Sequence, residues 1–304
     1  MRIIITGATG FIGNYLCKLL LEHNYEIVVL TRNASKARKN FGSMVTCVEW
    51  DARTNNGWQE YVEGAYAIIN LAGAGIADNL WTESYKKQIL ESRVSATKAV
   101  VMAIEAADEK PKVLLQGSAT GIYASRGDEV LDESSAKGDS FLADVVDEWE
   151  AAAKSVEKMG VRVCYLRTGV VLGKDEGILK KLSLPFKLFV GGTPGSGKQW
   201  FSWIHIEDEV NIIFHLLKNE GAEGVYNLVS PDPLRIADFC QQMGSVINRP
   251  SWIPVPAFML KLVMGQMAEE TALVSQRILP RRLMENGFRF SYPSLKPALQ
   301  DLLD

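Results

Sequence analysis

Cysteine and histidine are scarce in this chain, at four and three among 304 residues. Cys17, Cys47, Cys164 and Cys240 lie far apart in apolar surroundings, and no two form a C-x-x-C pair. That pattern argues against a disulfide framework and for buried, reduced thiols, with a cytoplasmic location to match. His23, His205 and His215 are just as scattered, so no metal site is expected. No apolar run approaches the roughly 18 residues of a membrane span. The opening "MRIIITG" has neither the length nor the cleavage pattern of a signal peptide. Internal repeats and low-complexity segments are absent. The net charge of −3 gives no reason to expect nucleic acid or a membrane as partner.

What is present is alternation. "RIIIT" (2–6), "EIVVLT" (26–31), "VTCVEW" (45–50), "YAIINL" (66–71), "KVLLQG" (112–117) and "VRVCYLR" (161–167) read as strands. They are near-continuous apolar runs, as expected of strands buried on both faces. Helical patterns lie between them, most clearly at 11–23, 81–107 and 141–159. The expected fold is therefore α/β, a doubly wound parallel sheet flanked by helices. After about residue 170 the pattern loosens into a Pro- and Gly-rich stretch (185–197), an apolar strand "WFSWIHI", a helix at 207–219 and a strand at 224–229. The rest reads as helical and irregular, broken by prolines. The expectation is a nucleotide-binding lobe at 1–173, to whose sheet strand 224–229 returns. A smaller, mostly helical substrate lobe would comprise 174–223 and 230–304.

Two glycine-rich loops compete for a phosphate. In "GGTPGSGKQW" (191–200), Gly192, Gly197 and Lys198 fit the core of a triphosphate-binding loop. Gln199 stands where a magnesium-holding hydroxyl belongs, and a strand-like run follows where a helix should. A loop beside a ligand pocket is the better account. In "RIIITGATGFIGNYLCKLLLEHNYEIVVLTR", by contrast, Gly7, Gly10 and Gly13 sit between a strand and a helix in a unit of the right length. Gly7 permits the tight turn, Gly10 the approach of backbone amides to a pyrophosphate, and Gly13 the packing of helix on sheet. Thr9, Phe11 and Ile12 belong to the same loop and helix start, whose partial positive charge faces the phosphates.

The end of the second strand decides which dinucleotide. An NAD site wants a carboxylate there for the ribose hydroxyls, and an NADP site a cation for the 2′-phosphate. The chain has Thr31, Arg32 and Asn33, with Lys36 and Arg38 close behind, which favours NADP(H). Asp51, after the third strand, fits an acceptor for the adenine amino group and equally a turn residue.

Taken together, "TGATGFIG", "NLAGAGI" (70–76), "GSATGIYAS" (117–125), "LRTGVVLG" (166–173) and "WIHIEDEV" (203–210) resemble the extended (atypical) short-chain dehydrogenase/reductase superfamily, with its Rossmann-type sheet. More narrowly, the chain resembles the NAD-dependent epimerase/dehydratase-like subfamily, which groups nucleoside-diphosphate-sugar epimerases with cell-division-inhibitor-like proteins. The tail "LPRRLMENGFRFSYPSLKPALQDLL" (279–303) matches that subfamily's C-terminal region. The resemblance implies cofactor contacts from Leu71 and Ala72 after the fourth strand, Arg93 and Gln88 on the long helix, and Val171 near the nicotinamide.

The implied chemistry is incomplete. The superfamily uses a Tyr-x-x-x-Lys pair, the lysine lowering the tyrosine pKa so that the phenol exchanges protons near neutral pH. On the helix "SFLADVVDEWEAAAK" the corresponding residues are Phe141 and Val145, and Lys154 lies more than two turns beyond. Ser118 fits the Ser/Thr position after the fifth strand. Tyr123 is the nearest phenol, so a shifted catalytic pair of Ser118 and Tyr123 is one reading and a pocket-shaping Tyr123 the other. Glu129, Asp132 and Glu133 fit a substrate rim or a solvated acidic loop. His205 fits a general acid or a hydrogen-bonded structural histidine.

Two functions follow. One is an NADP(H)-dependent oxidoreductase or epimerase acting on an unidentified small molecule. The other is an inactive NADP(H)-binding sensor or regulator. The long helix at 81–107 is compatible with a homodimer.

Overall fold

Residues buried on both faces form the centre of the sheet. Ile3 and Ile5 of strand β1 (Arg2–Thr6) pack with α1 (Phe11–Glu22) on one face, while Ile4 joins a second core on the other. The computed structural model describes the chain apart from residues 175, 188, 190, 253 and 304 and the side chain of residue 187. The Pro- and Gly-rich stretch 185–197 therefore falls partly outside the described residues.

The remaining elements follow as β2 (Glu26–Thr31), α2 (Ala34–Phe41), β3 (Thr46–Glu49), β4 (Ala67–Asn70), α3 (Glu83–Ala106) and β5 (Val113–Ala119). Next come β6 (Val130–Leu131), α4 (Phe141–Ala153), β7 (Arg162–Thr168), β8 (Val170–Gly173), α5 (Gly177–Lys187), β9 (Trp200–Phe201) and β10 (Trp203–His205). The chain ends with α6 (Ile206–Lys218), β11 (Gly224–Leu228), β12 (Leu234–Arg235), α7 (Ile236–Val246), α8 (Ala257–Met264), β13 (Arg277–Ile278), α9 (Arg281–Glu285) and α10 (Leu295–Leu303).

Seven strands make one parallel sheet in the order β11-β7-β5-β4-β1-β2-β3. The order reverses between β1 and β4, the point where a Rossmann-type sheet opens a crevice for a ligand. Helices α1, α2 and α6 cover one face, and α3 with the turn of helix after α4 covers the other. The last sheet strand, β11, is delivered after the excursion through α5 to α6 and pairs with β7 from Gly224↔Cys164 to Leu228↔Thr168.

Two expectations need correction. The helix read at 141–159 is α-helical only to Ala153 and tightens into a 3₁₀ turn over Lys154–Met159, closed by Gly160 at φ +75°. The run "WFSWIHI" is not one strand. Trp200–Phe201 pairs with β12 and Trp203–His205 with β8, because Ser202 turns its hydroxyl onto the Gln276 carbonyl and the Ile278 amide.

Candidate functional site

The glycine loop lies at the sheet's crevice, and steric contact explains two of its three glycines. Gly7 has φ +70°, and a Cβ there would fall 2.6 Å from the Leu71 carbonyl oxygen. A Cβ on Gly13 would fall 2.4 Å from the Gly7 oxygen and 2.6 Å from the Ala8 Cα. Gly10 is the N-cap of α1 and no side chain caps that helix, so its first-turn N–H groups are left for an anion. Thr9 and Gly10 are exposed at the crest, with Phe11 and Ile12 half-buried behind them. The Phe11 ring fills the space over Gly173 and Gly177, tying the loop to the start of α5.

At the end of β2, Thr31 is half-buried and Arg32 exposed, with no ion-pair partner among the described residues. Asn33 caps α2, its side chain accepting from the Lys36 amide at 2.8 Å. Arg38 donates to the Cys47 carbonyl instead. Asp51 is a turn residue, accepting from the amides of Arg53 and Thr54, which hold its carboxyl below the usual range. It is exposed and lies beside the same strand ends.

Beneath the loop after β4 runs a buried polar network that sequence reading missed. The Thr6 hydroxyl donates to Asn70 Oδ1 at 2.6 Å and accepts from the amides of Leu71 and Ala72 at 3.1 Å. Asn70 donates on to Gln116 and Thr97. Thr97 Oγ1 also accepts from the Trp149 indole. The available signal was three polar residues in otherwise apolar runs, Thr6 and Asn70 at the ends of β1 and β4 and Gln116 inside β5. Arg93 lies over the Trp149 ring and donates to the Ala74 carbonyl at 2.9 Å, so its guanidinium holds this loop. Burial lowers its pKa to about 10. Gln88 is exposed and lines a cavity of about 450 Å³ with Asn79, Leu80, Thr82 and Tyr85. Val171 is half-buried on β8, opposite Ile204.

Where the superfamily's tyrosine and lysine would stand, the structure has an apolar cluster. Val145 packs with Tyr85 and Ile89, and Phe141 meets Trp81 edge-on at 5.1 Å. The start of α4 is capped twice. Ser140 accepts from the Ala143 amide, and the Glu270 carboxylate accepts from the amides of Phe141 and Leu142.

Ser118 and Tyr123 are not paired with each other, which alters the expectation placed on them. The Ser118 hydroxyl donates to Glu150 Oε1, and Arg167 clasps Glu150 with Nε at 2.8 Å and Nη2 at 2.9 Å. Arg167 Nη1 donates to the Tyr123 oxygen, which donates to Asn227 Oδ1 at 2.7 Å. Tyr123 is fully buried, and burial pushes its pKa up rather than down. A phenol so placed has its proton committed to the protein. Thr120, the first residue beyond β5, has a hydroxyl with no hydrogen bond among the described residues.

The remaining candidates are structural ties. Glu133 accepts from the amides of Asn227 and Arg282, and Asp132 is held by Ser134 and Arg281. His205 is buried, accepts from the Glu207 amide at Nδ1, faces Asp301 across 3.2 Å and stacks on Tyr292. Burial lowers its pKa. Three of the four amides in the loop at 195–198 are engaged within the protein, Gly195 to Val255, Gly197 to Pro194 and Lys198 to the Ser196 hydroxyl, so the loop does not present the row of free amides a triphosphate needs. It borders an open cavity of about 930 Å³.

Residues 3–228 match the NAD dependent epimerase/dehydratase family, and residues 255–302 match a domain of unknown function, DUF1731. The chain belongs to that epimerase/dehydratase family. It is 43% identical over 310 residues to the epimerase family protein SDR39U1 homolog, chloroplastic, of Arabidopsis thaliana, covering all of this chain and 87% of the relative. To the epimerase family protein YfhF of Bacillus subtilis it is 39% identical over 305 residues, covering all of this chain and 98% of the relative. The solved structure of human epimerase family protein SDR39U1 with NADPH superposes with a TM-score of 0.87 at 32% identity, covering 99% of both chains.

Proposed function

We propose that this member of the epimerase/dehydratase family binds NADP(H) and acts on a small carbonyl compound or alcohol held between the 1–173 lobe and the 174–223 and 230–304 lobe. The observation that carries the cofactor choice is the pairing of an uncapped α1 N-terminus with an unpaired Arg32 at the end of β2. The NADPH in the human relative's structure supports it. The residues fit the group: the uncapped first-turn amides of α1 would hold the pyrophosphate, Arg32 would meet the 2′-phosphate, and Leu71 and Ala72 would border the ribose.

When bound, NADP(H) supplies or accepts a hydride. The chain's own part is to orient the reactants and to hold a proton near the reacting oxygen. Phe141 and Val145 cannot do this, and Ser118 and Tyr123 are engaged elsewhere. Thr120 is the hydroxyl left free at that strand end, and we assign it the positioning of a substrate oxygen. The apolar cluster around Val145 favours a second reading, a protein that binds NADP(H) without turnover.

Calorimetric titration of NADPH and NADH against the protein and its Arg32→Ala variant tests the cofactor. Selective weakening of NADPH supports the assignment, and equal affinity for both nucleotides in the unaltered protein refutes it. NADPH oxidation across a panel of carbonyls then separates the readings. Turnover lost in Thr120→Val at unchanged NADPH affinity supports the enzyme. Its absence across the panel supports the binding protein.

A further inference from the structure

Arginines set into this fold are spent in different ways. Arg167 clasps the Glu150 carboxylate with its Nε–Nη2 edge. Arg162 gives Nη1 to the carbonyls of Leu216 and Ala222 and Nη2 to that of Leu217. Arg93 is only half used. Its Nη1 donates to the carbonyls of Ala74 and Ile89, at 2.9 and 3.0 Å. Nε and Nη2, the donors of its other edge, have no partner among the described residues and are not shut off from solvent. No carboxylate pairs with this guanidinium among the described residues. Burial lowers its pKa only to about 10, so the charge persists at neutral pH.

That free edge lies at the crevice. Arg93 packs against Gly73, in the loop that follows β4 at the point where the strand order reverses. Gly73 is exposed, and its φ lies outside the left-handed region, so the backbone does not call for glycine there. Space does. A Cβ on Gly73 would fall 3.1 Å from Arg93 Cγ and Cζ and 3.3 Å from Nε. The missing side chain thus leaves the Nε side of the guanidinium uncovered. The Trp149 ring, 5.2 Å from the guanidinium carbon, is one turn along α4 from Val145. Val145 stands in the place of the superfamily's lysine, so Arg93 brings a positive charge back close to the vacated position.

A cation withdrawn from water without a counter-charge is costly, and an anionic ligand offsets that cost. The cofactor's phosphates already have donors in the first-turn amides of α1 and in Arg32, an allocation that rests on the NADP(H) reading above. Arg93 is then left for the substrate. We propose that Arg93 receives a carboxylate of the substrate, which makes the small carbonyl compound or alcohol an oxo or hydroxy acid. The Nε–Nη2 edge matches the two oxygens of a carboxylate, as the same edge of Arg167 does on Glu150. A phosphate would leave a third oxygen without a donor from this edge. The role is recognition and not proton transfer, because a guanidinium does not release its proton near neutral pH.

The test titrates pyruvate and benzoylformate, each beside its neutral primary amide, into the full chain saturated with NADP+, which cannot reduce them. Ligand-observed NMR gives the affinities. At least one acid should bind roughly tenfold tighter than its amide. Arg93→Lys keeps a charge but lacks the fork, and should abolish that preference. Gly73→Ala leaves the guanidinium in place and covers it, so it should weaken the acid and spare the amide; it decides the matter if Arg93→Lys does not fold. Calorimetric affinity for NADP+ should be unchanged in both variants. Acids that bind no tighter than their amides overturn the proposal, as does a preference that survives Arg93→Lys. A loss of NADP+ affinity in a folded Arg93→Lys overturns it as well, by assigning the guanidinium to the cofactor. Failure of the unaltered protein to bind NADP+ strikes the cofactor reading instead, and the same titrations without nucleotide then decide for Arg93.

Discussion

Arg167 on β7 holds Glu150 on α4 through both carboxylate oxygens, and neither side chain is more than 16% exposed. Removing one partner leaves the other charged and unpaired in the interior. Arg167→Leu should therefore cost about 3–5 kcal/mol. The double variant Arg167→Leu with Glu150→Leu should recover much of that loss. Urea denaturation of the three variants measures the difference, and an additive double variant would show that the pair is not coupled.

Tyr123 ends the same chain of bonds. Tyr123→Phe removes a donor to Asn227 and an acceptor for Arg167. Stability should fall by about 1–3 kcal/mol with NADPH affinity unchanged. Any carbonyl turnover should survive the substitution. A variant as stable as the parent but without turnover would return Tyr123 to the chemistry.

Gly13→Ala would place a methyl group 2.4 Å from one backbone atom and 2.6 Å from another. Backbone cannot give way as a side-chain end can, so α1 must lift from the loop. Calorimetry should show NADPH binding weakened by tenfold or more, with a stability loss of roughly 1–3 kcal/mol. Gly10→Ala, whose Cβ would meet only the Gly7 oxygen at 3.2 Å, should be milder for stability.

Glu209 is fully buried, accepts from the Thr168 hydroxyl on one oxygen and leaves the other without a partner. Burial pushes its pKa up to about 8 from an ordinary 4.5. Between those values the folded chain keeps a proton that the unfolded chain releases, so this group lowers stability as pH rises, levelling off above about 8. Glu209→Gln carries no such proton. Its stability relative to the parent should climb from about pH 5 to about pH 8 in urea denaturation. A flat difference would mean that the carboxyl is ionised in the fold.

The parts legible in the sequence are those fixed by local geometry. Gly7 and Gly13 declare themselves because close backbone contact forbids a Cβ, and the sheet strands because burial on both faces leaves no polar period. The illegible parts join distant segments. Nothing near Glu150 announces Arg167, and nothing near Phe141 announces Glu270 closing its helix from 129 residues away. Ser118 suits the catalytic position by type and spacing, yet the β pleat turns it towards α4 and leaves Thr120 beyond the strand end.

The pairing of β11 with β7 also governs what can be cut from this molecule. A fragment ending at residue 173 would keep the glycine loop and six of the seven strands but lose the one that finishes the sheet. The outer edge of β7 would then offer a row of unpaired amides and carbonyls flanked by apolar side chains, a template for other chains to join. Severed from its sequel, the nucleotide-binding half should therefore be prone to self-association through that edge, although its residues all lie ahead of the break.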